Sequence, residues 1–127
     1  MVQEGKHLVF TGETARQLAE DWVLAWNSHD LDAILSHYDS DVSLTSPTAA
    51  RLLNDPSGTV HGIDELRAYF QRGLQAYPDL QFELLEVMWG LSSMVLCYRN
   101  QKGAKCAEFM EFAGNGKVVR VVANYNA

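Results

Sequence analysis

The amino-acid sequence predicts an α+β fold in which helices pack on one face of an antiparallel sheet. Two patterns carry that reading. Apolar residues recur at helical spacing through the first part of the chain, and the last part breaks into four segments rich in Val, Leu, Phe, Tyr and Met. The resulting order is two helices, a strand, a third helix and then four strands. It segregates helix from sheet instead of alternating them.

The first helix is expected at about 13–28, where Ala15, Leu18, Ala19, Trp22, Val23 and Trp26 form one apolar stripe. Thr14, with Gln17 three residues on, has the pattern of a capping box at its start. Asn27-Ser28-His29-Asp30 interrupts the run. Asp30 can then cap a short second helix with Leu31, Ile34, Leu35 and Tyr38 on one side. Val42 to Ser46 alternates as a strand does, and Pro47 ends it because proline brings no donor to the ladder. Residues 48–62 read as a long connection around the turn cluster Asn54-Asp55-Pro56-Ser57-Gly58. Connections of that length often form the rims of sites.

A third helix is expected at about 63–77, with Ile63, Leu66, Phe70, Leu74 and Tyr77 on one stripe and Pro78 as its stop. Strands follow near 80–90, 93–101, 104–113 and 117–126. Gly90-Leu91-Ser92-Ser93, Gln101-Lys102-Gly103 and Gly114-Asn115-Gly116 separate them. Asn115-Gly116 suits a type I′ turn, because both residues accept positive φ.

The 127 residues amount to one domain, 1–127, with 1–12 a loosely ordered start. Hydrophobic residues at 47% and charged ones at 20% describe a folded globule, not a disordered chain. Ten Lys and Arg against sixteen Asp and Glu leave a net charge of −6, which argues against a nucleic-acid partner. Glu4, Glu13, Glu20 and Asp21 read as solvated faces. No apolar run approaches the roughly 18–20 residues that cross a bilayer. The start MVQEGKHLVF lacks a secretory pattern, so the cytoplasm is the expected compartment and no membrane partner is foreseen. Cys97 and Cys106 are too few for a disulfide scaffold and are expected as free thiols. They flank the Lys102-Gly103 turn almost symmetrically and would face each other across it. His7, His29, His37 and His61 show no metal-ligand spacing, and neither a phosphate loop nor a nucleophile elbow is present. Neither metal nor cofactor is expected.

Trp26-Asn27-Ser28-His29-Asp30-Leu31-Asp32, then Tyr38 and Val42, then Ser46-Pro47, then Gly62-Ile63-Asp64-Glu65-Leu66-Arg67-Ala68-Tyr69-Phe70 stand in a telling order. Together with Glu108-Phe109-Met110-Glu111-Phe112 and Gly116-Lys117-Val118-Val119, they make the chain resemble the nuclear-transport-factor-2-like superfamily. Its SnoaL-like and ketosteroid-isomerase-like branches are the nearest, and the likeness spans about 13–126. The resemblance implies a strongly curved sheet wrapped around the helices into a cone with a deep apolar pocket, and a homodimer on the outer sheet face. It also implies acid/base chemistry without a cofactor, in a family that includes isomerases, cyclases, dehydratases and plain binding modules. The carry-over of residues is uneven. Ketosteroid isomerases place an Asp base before a Pro at the end of the first strand, where this chain has Ser46 before Pro47. Trp22 stands where they place an oxyanion-hole tyrosine, and Glu108 where they place a protonated Asp. Ketosteroid isomerisation proper is therefore disfavoured.

Counting back from the Asn115-Gly116 turn puts Glu108, Met110 and Phe112 on one strand face and Phe109 and Glu111 on the other. If the first set points inward, Glu108 is a carboxyl in apolar surroundings whose raised pKa suits a general acid or base. Otherwise it pairs with Arg99 along the ladder. A loop of even length around Lys102-Gly103 puts Val95, Cys97 and Arg99 on the Glu108 face; an odd loop puts Leu96 and Tyr98 there. The even reading makes Arg99 the catalytic partner of Glu108. The family pattern gathers Trp22, Trp26, Tyr38, Tyr69, Phe70 and Tyr125 around one cavity with Met110, a wall suited to a flat apolar ligand. Ser46 and Asn124 would be polar contacts near its mouth, and His61 a proton shuttle at the rim.

The expected function is a cofactor-independent lyase, isomerase or cyclase acting by proton transfer on a small apolar, polyketide- or steroid-like molecule. A binding protein without chemistry and a dimeric scaffold are the alternatives. The homodimer would use the outer face, with Leu96, Tyr98 and Phe109 in the contact.

Overall fold

A computed structural model describes residues 10–126; His7, Glu4 and most of the loosely ordered start expected at 1–12 lie outside the described residues. Helix α1 (Gly12–Ser28) begins at Thr11. The Thr11 hydroxyl accepts from the Thr14 amide at 3.2 Å, and the Thr14 hydroxyl accepts from the Thr11 amide at 2.9 Å. The capping box is thus Thr11/Thr14 and not Thr14/Gln17. His29, at φ 60°, closes the helix in the left-handed region. Asp30 caps α2 (Leu31–Leu35), its Oδ1 accepting from the Ala33 amide at 3.3 Å. Tyr38 is not on that helix but opens strand β1 (Tyr38–Thr45).

The expected connection 48–62 is structured. Ser46 caps helix α3 (Pro47–Leu53), with Pro47 in the first turn, where a missing N–H has no partner to lose. Strand β2 (Thr59–His61) follows, then α4 (Gly62–Ala76). Gly58, at φ 59°, lets the chain fold back on the start of α3: its carbonyl accepts from the Ser46 amide at 2.9 Å, and a Cβ there would sit 2.6 Å from the Ser46 carbonyl. The last four strands are β3 (Glu83–Trp89), β4 (Ser93–Arg99), β5 (Lys105–Phe112) and β6 (Val118–Tyr125).

The six strands form one curved, unclosed sheet in the order β2-β1-β6-β5-β4-β3, antiparallel except for the parallel β1–β6 pair. Helix α4 packs on β1 and β2, and α1 on β3, so the helices cover the concave face. Leu44, Leu66, Leu96, Met110 and Val121 are buried between the layers.

Two turns decide which side chains point inward. In the β4–β5 hairpin the Asn100 amide donates to the Ala104 carbonyl and the Gly103 amide to the Asn100 carbonyl, both at 2.9 Å, with Gly103 at φ 85°. This is a three-residue loop, a type I turn closed by a left-handed glycine. The β5–β6 hairpin repeats the pattern: Ala113 pairs with Lys117 and Gly116 takes φ 83°, while Asn115 is not left-handed. The type I′ expectation is corrected accordingly. An odd loop puts Leu96 opposite Glu108 and Tyr98 opposite Cys106, which moves Arg99 to the convex face opposite Lys105. Cys97 and Cys106 consequently lie on opposite faces and do not meet; both are free thiols. Leu96 and Tyr98 are buried, which removes them from the expected dimer face and leaves Phe109.

Candidate functional site

Between the concave sheet, α1, α3 and α4 lies a cavity of about 640 Å³. Strand β5 delivers Glu108 into it, 7% exposed, with Oε2 accepting a 2.7 Å hydrogen bond from the Tyr98 hydroxyl. Burial pushes the Glu108 carboxyl up to about 7, and the bond from Tyr98 pulls the other way. Near neutral pH the group is close to half-ionised, the state from which a carboxyl both accepts and donates protons.

Three more hydroxyls surround it. The Tyr38 oxygen accepts from Trp22 Nε1 at 2.9 Å, which leaves its own proton free to be donated. Burial first, then the neighbouring Glu108, holds the Tyr38 phenol far above the ordinary tyrosine range, so it stays protonated. Burial likewise raises Tyr69 and Tyr125, and the Tyr125 oxygen accepts from the Thr48 hydroxyl at 3.1 Å. Trp26 Nε1 and Gln101 Oε1 are buried without a hydrogen-bond partner among the described residues, and both residues line the cavity. A buried orphan costs about 1–3 kcal/mol. A polar atom that reached either one from within the cavity would complete its hydrogen bonding.

The apolar wall is held by its own contacts. Phe82 stacks on Trp22 (5.8 Å, 17°) and packs on Tyr98 (4.3 Å), and Phe70 meets Trp26 edge-on at 4.7 Å. Such pairs contribute roughly 0.5–1.5 kcal/mol each beyond area burial. The Asn27 amide clamps the Phe82 backbone, accepting from its N–H at 2.7 Å and donating to its carbonyl at 2.9 Å. His29 Nε2 sits 2.8 Å from the Leu80 carbonyl. The break after the first helix is therefore also the device that fixes the chain at 80–82 against the cavity.

Of the residues singled out from sequence, Glu108, Trp22, Trp26, Tyr38, Ser46, Tyr69, Phe70 and Tyr125 line this one cavity. Four do not. Arg99 points outward, its Nε 3.8 Å from Glu83. Asn124 is exposed on the convex face, donating to the Ala107 and Val122 carbonyls at 3.3 Å. His61 is exposed at the end of β2. Met110 faces inward but is packed in the core, 1% exposed, without lining the cavity. Ser46 caps α3 through its hydroxyl, 3.1 Å from the Thr48 amide. Sequence reasoning offered Tyr98 only as the odd-loop alternative to Arg99, and missed Phe82 and Gln101, and also Arg51 and Tyr77 at the mouth. The Ser46-Pro47 cap signal would have found the helix that bears Arg51. Among the described residues no group of three His, Cys, Asp or Glu could hold a metal ion, and no helix is long and apolar enough to cross a membrane.

A curved, unclosed sheet covered by helices on its concave face is the architecture of the NTF2-like class of α+β proteins. Residues 19–121 match the SnoaL-like domain family, and the chain belongs to that family. It is 36% identical to a SnoaL-like protein of unknown function from Burkholderia thailandensis, covering 94% of this chain and all of that one, with a TM-score of 0.89. An NTF2-like protein of unknown function from Burkholderia pseudomallei shares the fold at 20% identity, with a TM-score of 0.71 and coverage of 88% and 90%. TerC, crystallised with polyporic acid, does so at 13% identity, with a TM-score of 0.72 and coverage of 88% and 91%. Proteins of this fold include ones described as isomerases and one described as a hydroxylase. No curated protein shows significant similarity.

Proposed function

We propose that the protein is a cofactor-independent enzyme, of isomerase, lyase or cyclase type, that moves a proton on a small, largely apolar molecule held in the cavity. The carrying observation is Glu108, buried among aromatic rings with its carboxyl near 7. In this reading Glu108 removes a proton from carbon next to a carbonyl and returns it elsewhere. The carbonyl oxygen, as it gathers negative charge, accepts from the free Tyr38 O–H and the unpartnered Trp26 N–H. Tyr98, not Arg99, is the partner that orients Glu108. A phenol leaves the carboxyl free to titrate, whereas an arginine would hold it ionised.

The test is exchange of the α-hydrogens of 2-tetralone in D2O, followed by NMR. The parent protein accelerates exchange and Glu108→Gln, still folded, does not. Equal exchange by both proteins removes the assignment.

One observation favours a second reading, binding without chemistry. Ser46 is no carboxylate and its hydroxyl caps α3, so among the described residues Glu108 is the only acid lining the cavity. Quenching of tryptophan fluorescence by 2-tetralone with no gain in exchange is the outcome that selects it.

A further inference from the structure

Among the described residues, the charged side chains at the mouth of the cavity are of one sign. Arg51 on α3 donates from Nη2 to the Tyr77 hydroxyl, and Lys102 in the β4–β5 loop places its ammonium 4.9 Å from the centroid of the same ring. Both cations line the cavity, and the charge of Arg51 pulls the pKa of the Tyr69 phenol down against the larger upward push of burial, so its field reaches inside. Neither has a carboxylate within ion-pair distance among the described residues; the pairs present are Arg67–Asp32, Arg99–Glu83 and Arg120–Glu111. A chain of net charge −6 thus gathers on one tyrosine two cations without an ion-pair partner among the described residues, at the entrance to a cavity whose one acid among those residues, Glu108, is buried. Two like charges brought together repel, and an anion placed between them relieves that repulsion.

We propose that the ligand of this cavity is an amphiphilic organic anion, its carboxylate or sulfonate held at the mouth by Arg51 and Lys102 and its apolar body on the aromatic wall. This deepens the functional reading above and rests on it, because it names the substrate class of the same cavity. Charge also sets the orientation. An anionic end directed inward would meet Glu108, so the neutral end is the one that reaches the carboxyl. Arg51 and Lys102 are positioning residues and take no part in proton transfer.

The experiment compares two fluorescent probes that differ in one sulfonate: 8-anilinonaphthalene-1-sulfonate and neutral N-phenyl-1-naphthylamine. The parent protein binds the sulfonate at least tenfold tighter, and the preference shrinks from 50 to 500 mM NaCl. Arg51→Gln with Lys102→Gln lowers sulfonate affinity about tenfold or more and leaves the neutral probe unchanged, which a merely structural role would not do. Equal affinity for the two probes, or equal loss of both in the variant, overturns the anion subsite while leaving the cavity as a ligand site. Failure of both probes to bind the parent overturns the subsite too, whereas unchanged exchange in Glu108→Gln strikes only the proton-transfer reading.

Discussion

Glu108 and Glu111 stand three residues apart on the same strand and meet opposite surroundings. Glu111 faces out, 3.0 Å from the Arg120 guanidinium, both side chains about half exposed. Glu108 faces in, where its hydrogen-bond partner is a phenol and burial raises the carboxyl to about 7. The chemistry of the side chain is identical, so the difference comes from the pleat, which sends successive residues to water or to the cavity. The same division runs along the sheet. Two convex carboxylates meet arginines, Glu83 with Arg99 and Glu111 with Arg120, whereas the concave Glu108 is left able to titrate. The inward carboxyl is left able to titrate near neutral pH because no cation among the described residues is set beside it.

Removing the inward carboxyl gives the largest expected effect. Glu108→Gln lowers turnover about 10²–10⁴-fold, the usual worth of a positioned proton-transfer group. It also changes stability with a definite sign. The folded protein holds the Glu108 proton more tightly than the unfolded chain does. Its contribution is therefore full below the ordinary value of 4.5 and declines as pH rises through about 7. The variant should match the parent near pH 4 and exceed it at pH 8.5 by about 3 kcal/mol, near 10 °C in melting temperature. Thermal melts of both proteins across pH 4–9 check this. A difference that does not vary with pH would mean that Glu108 is not a desolvated acid.

How far this comparison was legible beforehand depends on which link is asked about. Helices α1, α2 and α4 and the four C-terminal strands follow from the spacing of their apolar residues. Helix α3 was obscured by the turn-rich residues 54–58 beside it, although Ser46 before Pro47 is a helix-start signal. Glu108 pointing inward could be counted from the β5–β6 turn. Its partner could not. Gly103 serves equally in a two-residue and a three-residue loop, and the one-residue difference exchanges Arg99 for Tyr98 beside the carboxyl. Asn124 and His61 failed for a related reason: nearness to the mouth along the chain does not fix the direction of a side chain.

The cysteines repeat the inside–outside contrast with an effect of about a hundredfold. Cys106 is buried on the concave face with its thiol pushed up to about 11, whereas Cys97 is half-buried on the convex face. Thiolate, not thiol, reacts. Two units above the ordinary 9.0 leave Cys106 about a hundredfold less thiolate at pH 8. Labelling with a disulfide reagent should run in two phases, the fast one lost in Cys97→Ser and the slow one in Cys106→Ser. A single fast phase of two thiols would contradict the register of β4.

Tyr98→Phe sharpens the contrast by removing the last polar contact of the inward acid. Because the Tyr98 bond is the influence that pulls the Glu108 carboxyl down, its loss moves the carboxyl further up, and the limb of the pH–rate profile set by Glu108 shifts to higher pH. At pH 8, where the carboxylate is ionised, the variant should lose about 1–3 kcal/mol of stability, the value of a hydrogen bond to a buried charge. At pH 5 the loss should be smaller. A limb that moves to lower pH would show that Tyr98 acts on Glu108 mainly by some route other than donating to it.

The smallest effect belongs to the outward pair. Glu111→Gln or Arg120→Gln removes an ion pair open to water, where Coulomb attraction is weak and salt screens it, so each should change stability by less than about 1 kcal/mol. The residual effect should fade by 0.5 M NaCl. Arg120 also rests 5.8 Å from the Phe109 ring, and that contact survives Glu111→Gln, so of the two variants Arg120→Gln should lose slightly more. Turnover should be untouched by either, because neither side chain lines the cavity. The measurement also examines the convex face itself. A loss well above 1 kcal/mol that shrinks as the protein is diluted would mean that Glu111 and Arg120 are enclosed by a second copy of the chain, and the sheet would then have two buried faces instead of one buried and one wet.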